Sequence, residues 1–274
     1  MINTIISIFS YTFSLRAVIV GSLVSLTAAL LGVILVLKRY SMIGDGLSHV
    51  GFSAIAIGAA LGVAPLYVAI PVVIICAFLL LRNDGKGLVK GDSAIALLSS
   101  SALAIGIVVA QMSNNFDKDF NSYMFGDILS LSESDVIIAI ILSIIVLGIF
   151  IIFYNKIFTV TFDEGFATAT GTKTKVYNSI IALLTAVTIV IGMRIMGTLL
   201  ISALIIFPAL SSMRLFKGFR SVIISSGIIS IFCFIVGIIL SFTFGDLPTG
   251  ASIVCVNLIV FIINFILGKI LKRS

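Results

Sequence analysis

Nine apolar stretches recur along this chain of 274 residues, at roughly 13–37, 41–63, 65–81, 92–112, 135–154, 174–193, 195–213, 219–244 and 250–268. A helix needs about 20 residues to cross the ~30 Å hydrocarbon core of a bilayer. The stretches have that length, and they lack the alternation of apolar and polar residues that barrel strands require. Backbone groups in lipid must be satisfied within the segment, so each stretch is read as a helix. With 60% hydrophobic and 10% charged residues and a mean hydropathy of +1.31, a water-soluble globular domain is excluded. No linker long enough to separate two units interrupts the pattern. The expected fold is all-α: a polytopic transmembrane helical bundle of eight or nine spans, with residues 1–274 forming one membrane domain.

The basic residues orient the bundle. With the carboxyl terminus in the cytosol, fourteen of the seventeen Lys and Arg fall on the cytosolic side, leaving Arg16, Lys118 and Arg194 outside. The positive-inside rule therefore places the amino terminus outside, in a multi-pass protein of the cell membrane. The net charge of +6 is accounted for in this way and calls for no nucleic acid. Residues Met1 to Phe13 carry no basic residue ahead of their apolar part and read as an interfacial segment, not a signal peptide. Cys76, Cys233 and Cys255 lie in apolar spans and read as small buried hydrophobes.

Small residues mark where helices approach closely, because packing replaces the hydrophobic effect in lipid. Gly21, Ser25 and Ala29 recur at spacings of four in the first span, and the second is crowded with glycine, alanine and serine from Gly44 to Ala60. The second helix is therefore expected to be buried among others. Pro208 removes a backbone donor and crowds the carbonyl of Leu204, which predicts a kink. The stretch from Ser122 to Ser130 is too short to span and too apolar for a free loop. It suits either a segment dipping back into the membrane or a helix lying at the interface.

His49 is the only histidine, and it follows Asp45 by four residues at the head of an apolar run. Side chains at i and i+4 share a helix face, and a carboxylate within a membrane is costly unless paired or metal-bound. Together they offer two ligands, whereas a tetrahedral zinc site takes four. A twofold axis beside the second helix would supply the set from two copies. The ligand types suit zinc and also accommodate manganese or iron. The same spacing also fits an N-capping aspartate followed by a hydrogen-bonded interior histidine.

The polar stretch from Phe158 to Gly171 predicts a short cytosolic helix with Asp163 and Glu164 in its first turn and Gly171 as its stop. Phe162 and Phe166, four apart, would form an apolar ridge, either a partner surface or a face resting on the membrane. Nothing in the chain supplies chemical energy. Gly165 and Gly171 are six apart, one more than a phosphate-binding G-x-x-x-x-G-K-[ST] loop allows, with Thr172 intervening before Lys173, and one histidine cannot make an H-E-x-x-H protease.

Four stretches together carry a family resemblance: Arg39-Tyr40-Ser41-Met42-Ile43-Gly44-Asp45-Gly46-Leu47-Ser48-His49, Tyr123-Met124-Phe125-Gly126-Asp127-Ile128-Leu129, Gly197 to Ala209, and Asp246-Leu247-Pro248-Thr249-Gly250. The chain resembles the membrane permease subunits of ATP-binding-cassette importers for zinc, manganese and iron, of the type II architecture. The second stretch is more similar to the zinc branch. The resemblance implies a homodimer in the lipid bilayer, two cytosolic ATPase subunits and an extracytoplasmic metal-binding protein that delivers the ion. It also implies that Asp45 and His49 contact the metal, and that Phe162, Asp163, Glu164, Phe166 and Gly171 belong to the segment docking on the ATPase. The expected function is import of a divalent metal, zinc first and manganese or iron as alternatives, by alternating access at the dimer interface. The metal is cargo, no cofactor is permanently bound, and the chain is a transport subunit, not an enzyme. The rival is a self-sufficient cation channel or secondary carrier in which Asp45 and His49 relay ions.

Overall fold

The computed structural model describes residues 12–82, 92–112, 126, 132–244 and 247–271, and among these the chain forms eleven α-helices. They are α1 (Thr12–Leu37), α2 (Ile43–Ala60), α3 (Pro65–Arg82), α4 (Asp92–Met112), α5 (Glu133–Ile152), α6 (Tyr154–Phe162), α7 (Glu164–Ala169), α8 (Thr174–Met196), α9 (Thr198–Leu215), α10 (Phe219–Phe244) and α11 (Thr249–Ile270). Eight are long and apolar enough to cross a membrane, and α3 is a shorter apolar helix over Pro65–Leu81. Each of the nine apolar stretches coincides with one of these helices.

Helix ends follow local chemistry. Pro65 opens α3, where its missing N–H costs nothing. Ser132 caps α5 by accepting from the Asp135 N–H at 3.2 Å. Helices α8 and α9 meet at Gly197, whose φ of 82° is open to glycine and strained for other residues. The break therefore falls at Gly197, and α8 runs past Arg194, where the hydropathy pattern alone would divide the two spans. Helix α9 continues through Pro208 without ending.

Helix α1 is the central strut and packs on α5, α6, α8, α9 and α10. Its spaced small residues explain this placement. A Cβ at Gly21 would overlap the Phe234 ring on α10, and one at Gly32 would overlap the Ile205 carbonyl on α9. Between these contacts, the Ser230 hydroxyl donates to the Ser25 carbonyl at 2.9 Å and the Ser226 hydroxyl to the Ala29 carbonyl at 3.2 Å. The stripe read from the sequence is thus a seam at which α10 lies against α1. Helix α2 packs on α3, α4, α8 and α9, buried among its neighbours as its composition predicts.

Two apolar cores result. The larger joins α1, α2, α8 and α9 through residues such as Leu47, Phe52, Met193 and Leu204. The smaller gathers Leu31, Ile34, Val146, Phe150, Ile157 and Ile181 near the Lys38 end of the bundle. At the opposite end α5 is held by two ion pairs, Arg16 Nη2 to Glu133 Oε1 at 2.6 Å and Arg194 Nη2 to Asp135 Oδ1 at 2.7 Å. Of the cysteines, Cys233 is buried and Cys76 half-buried, but Cys255 is exposed on α11, so the expectation of burial fails there. Helix α11 packs on α9 and α10 by a minority of its faces, and position 255 lies outside that contact.

Packing magnitudes order the seam. Overfilling a tight contact costs about 1–3 kcal/mol, whereas an interhelical hydrogen bond in a membrane averages about 0.6 kcal/mol. Thermal unfolding in detergent is expected to show a larger loss of stability for Gly32→Val than for Ser230→Ala; the reverse order would mean that the hydroxyl bonds, not backbone proximity, hold α1.

Candidate functional site

The entry to α2 is a fixed turn. Helix α1 closes with the Arg39 N–H on the Val36 carbonyl at 3.0 Å and the Tyr40 N–H on the Leu35 carbonyl at 2.8 Å, the paired bonds of a Schellman motif. Arg39 occupies the left-handed position of that motif with φ 63°, a place that glycine usually takes. The Ile43 N–H then bonds the Tyr40 carbonyl at 3.1 Å, and α2 begins.

Asp45 stands in the first turn of α2, where the helix dipole favours a carboxylate. It does not cap the helix: the N-cap position is Met42, which makes no side-chain cap bond. Its Oδ1 lies 3.5 Å from His49 Nε2, with the carboxylate 41% and the imidazole 15% exposed. His49 Nδ1 is buried and has no hydrogen-bond partner among the described residues. The capping half of the alternative reading therefore fails, while His49 remains a largely buried histidine that faces the Asp45 carboxylate.

The surroundings hold the pair in register. A Cβ at Gly46 would press on Ile95 of α4 at 2.6 Å, one at Gly51 on Met193 of α8 at 2.8 Å, and one at Gly44 on Ile205 of α9 at 3.0 Å. Glycines therefore seat α2 closely on three neighbours and leave the line through Asp45, His49 and Ile57 as its partly open edge. The Ser48 hydroxyl donates to the Asp45 carbonyl at 2.8 Å, and Ser99 on α4 faces the Asp45 carboxylate. No cluster of three or more His, Cys, Asp or Glu exists among the described residues. Among the described residues, one chain therefore brings one carboxylate and one imidazole together at this place.

The segment 158–171 differs from one continuous helix. Asp163 takes an extended conformation, φ −147° and ψ 95°, which ends α6 and caps α7. Its Oδ1 accepts from the Phe166 N–H at 2.8 Å. Phe162 and Phe166 consequently sit on two helices. Phe162 contacts Phe158 and, edge-on from α10, Phe219, at centroid distances of 4.9 and 5.6 Å, and both Phe162 and Phe166, on α7, remain exposed. Ala167 anchors α7 from beneath and is fully buried. Gly171, φ 80°, is the stop that the sequence predicts, with its own N–H on the Thr168 carbonyl at 3.0 Å and that of Thr172 on Ala167 at 2.9 Å.

The sequence reading missed the partners of this segment. Glu164 accepts from Asn178 Nδ2 on α8 at 2.9 Å, and Asn178 Oδ1 accepts from Lys38 Nζ at 2.7 Å. Lys38 and Asn178 are 140 positions apart, and neither disturbs a local pattern, so no periodicity reveals them. The stretch 122–130 lies outside the described residues except for Gly126, which has φ 78° and lies so close to Met196 and Gly197 that a Cβ there would overlap their backbone. Two of the sequence motifs thus meet at the α8–α9 corner.

Comparison with known proteins follows these motifs. A family model described as the ABC 3 transport family matches residues 10–268. The high-affinity zinc uptake system membrane protein ZnuB of Haemophilus influenzae is 30% identical over 248 residues, covering 90% of this chain and 95% of that protein. The manganese import system permease protein ScaB of Streptococcus gordonii is 27% identical over 267 residues, with 96% and 95% covered. Among solved structures, PsaBC from Streptococcus pneumoniae in complex with Fab superposes with a TM-score of 0.86 at 27% identity, covering 97% of this chain and 95% of that one. The chain belongs to the ABC 3 transport family and is a multi-pass membrane permease subunit of an ATP-binding-cassette importer, as its four motifs imply. It is a transport subunit, ATP hydrolysis lying in a separate subunit, and the self-sufficient channel or carrier gives way to that assignment.

Proposed function

We propose that the chain imports a divalent metal ion, zinc in preference to manganese, as a homodimer whose two copies each contribute Asp45 and His49 to one intramembrane site. The observation that carries the reading is the pair itself: a carboxylate and an imidazole one turn apart on the partly open edge of α2, with Asp45 Oδ1 3.5 Å from His49 Nε2. Relatives named for zinc and for manganese stand at similar identity, and a carboxylate with an imidazole accommodates either metal, so the preference for zinc rests on the resemblance of the stretch Tyr123 to Leu129 to the zinc branch. The absence of thiolates suits a site that must release its ion.

Two features support a dimer. Two ligands per chain make half of a tetrahedral set. Beside Ser99, the exposed face of α4 carries Ala96, Ser100 and Ala104 at spacings of four, small residues of the kind that let helices meet closely in lipid.

In this reading the amino terminus lies outside and the carboxyl terminus in the cytosol, which puts Lys38 and α6–α7 on the cytosolic side. An extracytoplasmic metal-binding protein delivers the ion to the opposite end. ATPase subunits dock on α7 through exposed Phe166, with Phe162 and Gly171 fixing its position and Asp163 and Glu164 its first turn. Closure of the ATPase then biases the bundle between states that hold and release the ion.

In cells lacking other importers, Asp45→Ala and His49→Ala are each expected to abolish uptake of radioactive zinc while the assembled transporter is still recovered; normal uptake in both variants would remove the site. Phe166→Asp places a charge in the docking face and is expected to release the ATPase subunits during purification. Their full retention together with normal transport would count against docking through α7.

A further inference from the structure

The three residues that link α7 to α1 form a single polar chain, and its position gives it a consequence for coupling. Lys38 is the last residue before the left-handed turn at Arg39, and Glu164 is in the first turn of α7, two residues before Phe166. Between them the Asn178 amide is used in both directions, its oxygen accepting from the Lys38 ammonium at 2.7 Å and its nitrogen donating to the Glu164 carboxylate at 2.9 Å. Each bond has one charged member, and the amide dipole lies head to tail between a cation and an anion, so the bonds strengthen each other.

Beyond Lys38 the connection is rigid. Backbone bonds brace this stretch at Lys38 on Ile34 at 2.9 Å, at the paired bonds of Arg39 and Tyr40, and at Ile43 on Tyr40 and Gly46 on Met42 at 3.1 and 3.0 Å. Gly46 adjoins Asp45. Side-chain bonds of this kind hold only over shifts below about 1 Å, so they tie small displacements of α7 to the turn that leads into α2.

We propose that Asn178 is a positioning residue that transmits movement of the ATPase-docking helix α7 through Lys38 to the metal-binding turn at Asp45. The inference rests on the docking and metal-site readings above and adds the route between them. Residues with a purely structural role at this place would alter stability and leave the coupling ratio unchanged.

The test uses the complete transporter, permease with its ATPase subunits and binding protein, in liposomes with zinc as the probe. Asn178→Leu keeps the branched shape and removes both bonds; it is expected to retain the ATPase subunits, to lower zinc uptake about tenfold and to raise the ATP hydrolysed per ion imported. Lys38→Glu and Glu164→Lys should each lower uptake and raise the ATP hydrolysed per ion in the same way. Combined, they reverse the charges at the two ends, and the Asn178 amide can turn over to serve both, so the double variant is expected to recover uptake and coupling ratio. An unchanged ratio in Asn178→Leu, or a double variant as poor as the single ones, overturns the proposal. If Asn178→Leu is not recovered in the membrane, comparison of the single and double charge reversals decides. Zinc uptake by the unaltered chain without ATPase subunits would overturn the docking reading itself, an outcome distinct from failure of the relay.

Discussion

Close approach of backbones is the constraint on which this structure depends. In hydrocarbon, an apolar side chain gains nothing by leaving lipid for protein, so helices are held by contact at short range and by the few polar bonds that contact allows. Gly32 against the Ile205 carbonyl, Gly21 against Phe234, and Gly44, Gly46 and Gly51 against three neighbours set the spacing of α1, α2, α4, α8, α9 and α10. The serine hydroxyls that bridge α10 to α1 are possible because the glycines let the helices meet. Large residues at those positions would separate the helices and open the edge on which Asp45 and His49 stand.

Polar groups are few, and each cluster has a place in this frame. Ion pairs of Arg16 and Arg194 fasten the start of α5 at one end of the bundle, and the chain from Lys38 through Asn178 to Glu164 joins three helices at the other. Asp45 and His49 lie on α2, which packs on α3, α4, α8 and α9. The left-handed conformation of Arg39 stiffens the approach to them at a cost that glycine would avoid, which is the behaviour of strained backbone at a working part of a protein.

Much of the architecture is legible in the sequence because lipid imposes one length and one secondary structure. The nine stretches correspond to helices, the small residues to seams, and Gly171 to a helix stop. The departures have local causes. The α8–α9 break falls at Gly197 because that position needs a positive φ, a property hydropathy does not register. The helix expected through Phe162 and Phe166 is broken at Asp163, whose capping bond to the Phe166 N–H competes with continuation. At the site, the i, i+4 spacing gives the Asp45–His49 pair, but only the fold shows that Nδ1 is buried with no partner among the described residues and that Met42, not Asp45, is the cap. Asn178 was beyond reach because its meaning lies in partners 14 and 140 positions away.

The central claim is that one chain carries half a metal site. Metal content of the purified assembled transporter, measured by mass spectrometry after equilibration with zinc and manganese in competition, tests it most directly. The account predicts roughly one zinc ion per two chains, bound in preference to manganese and lost in His49→Ala. One ion per chain, or metal retained without His49, would contradict it.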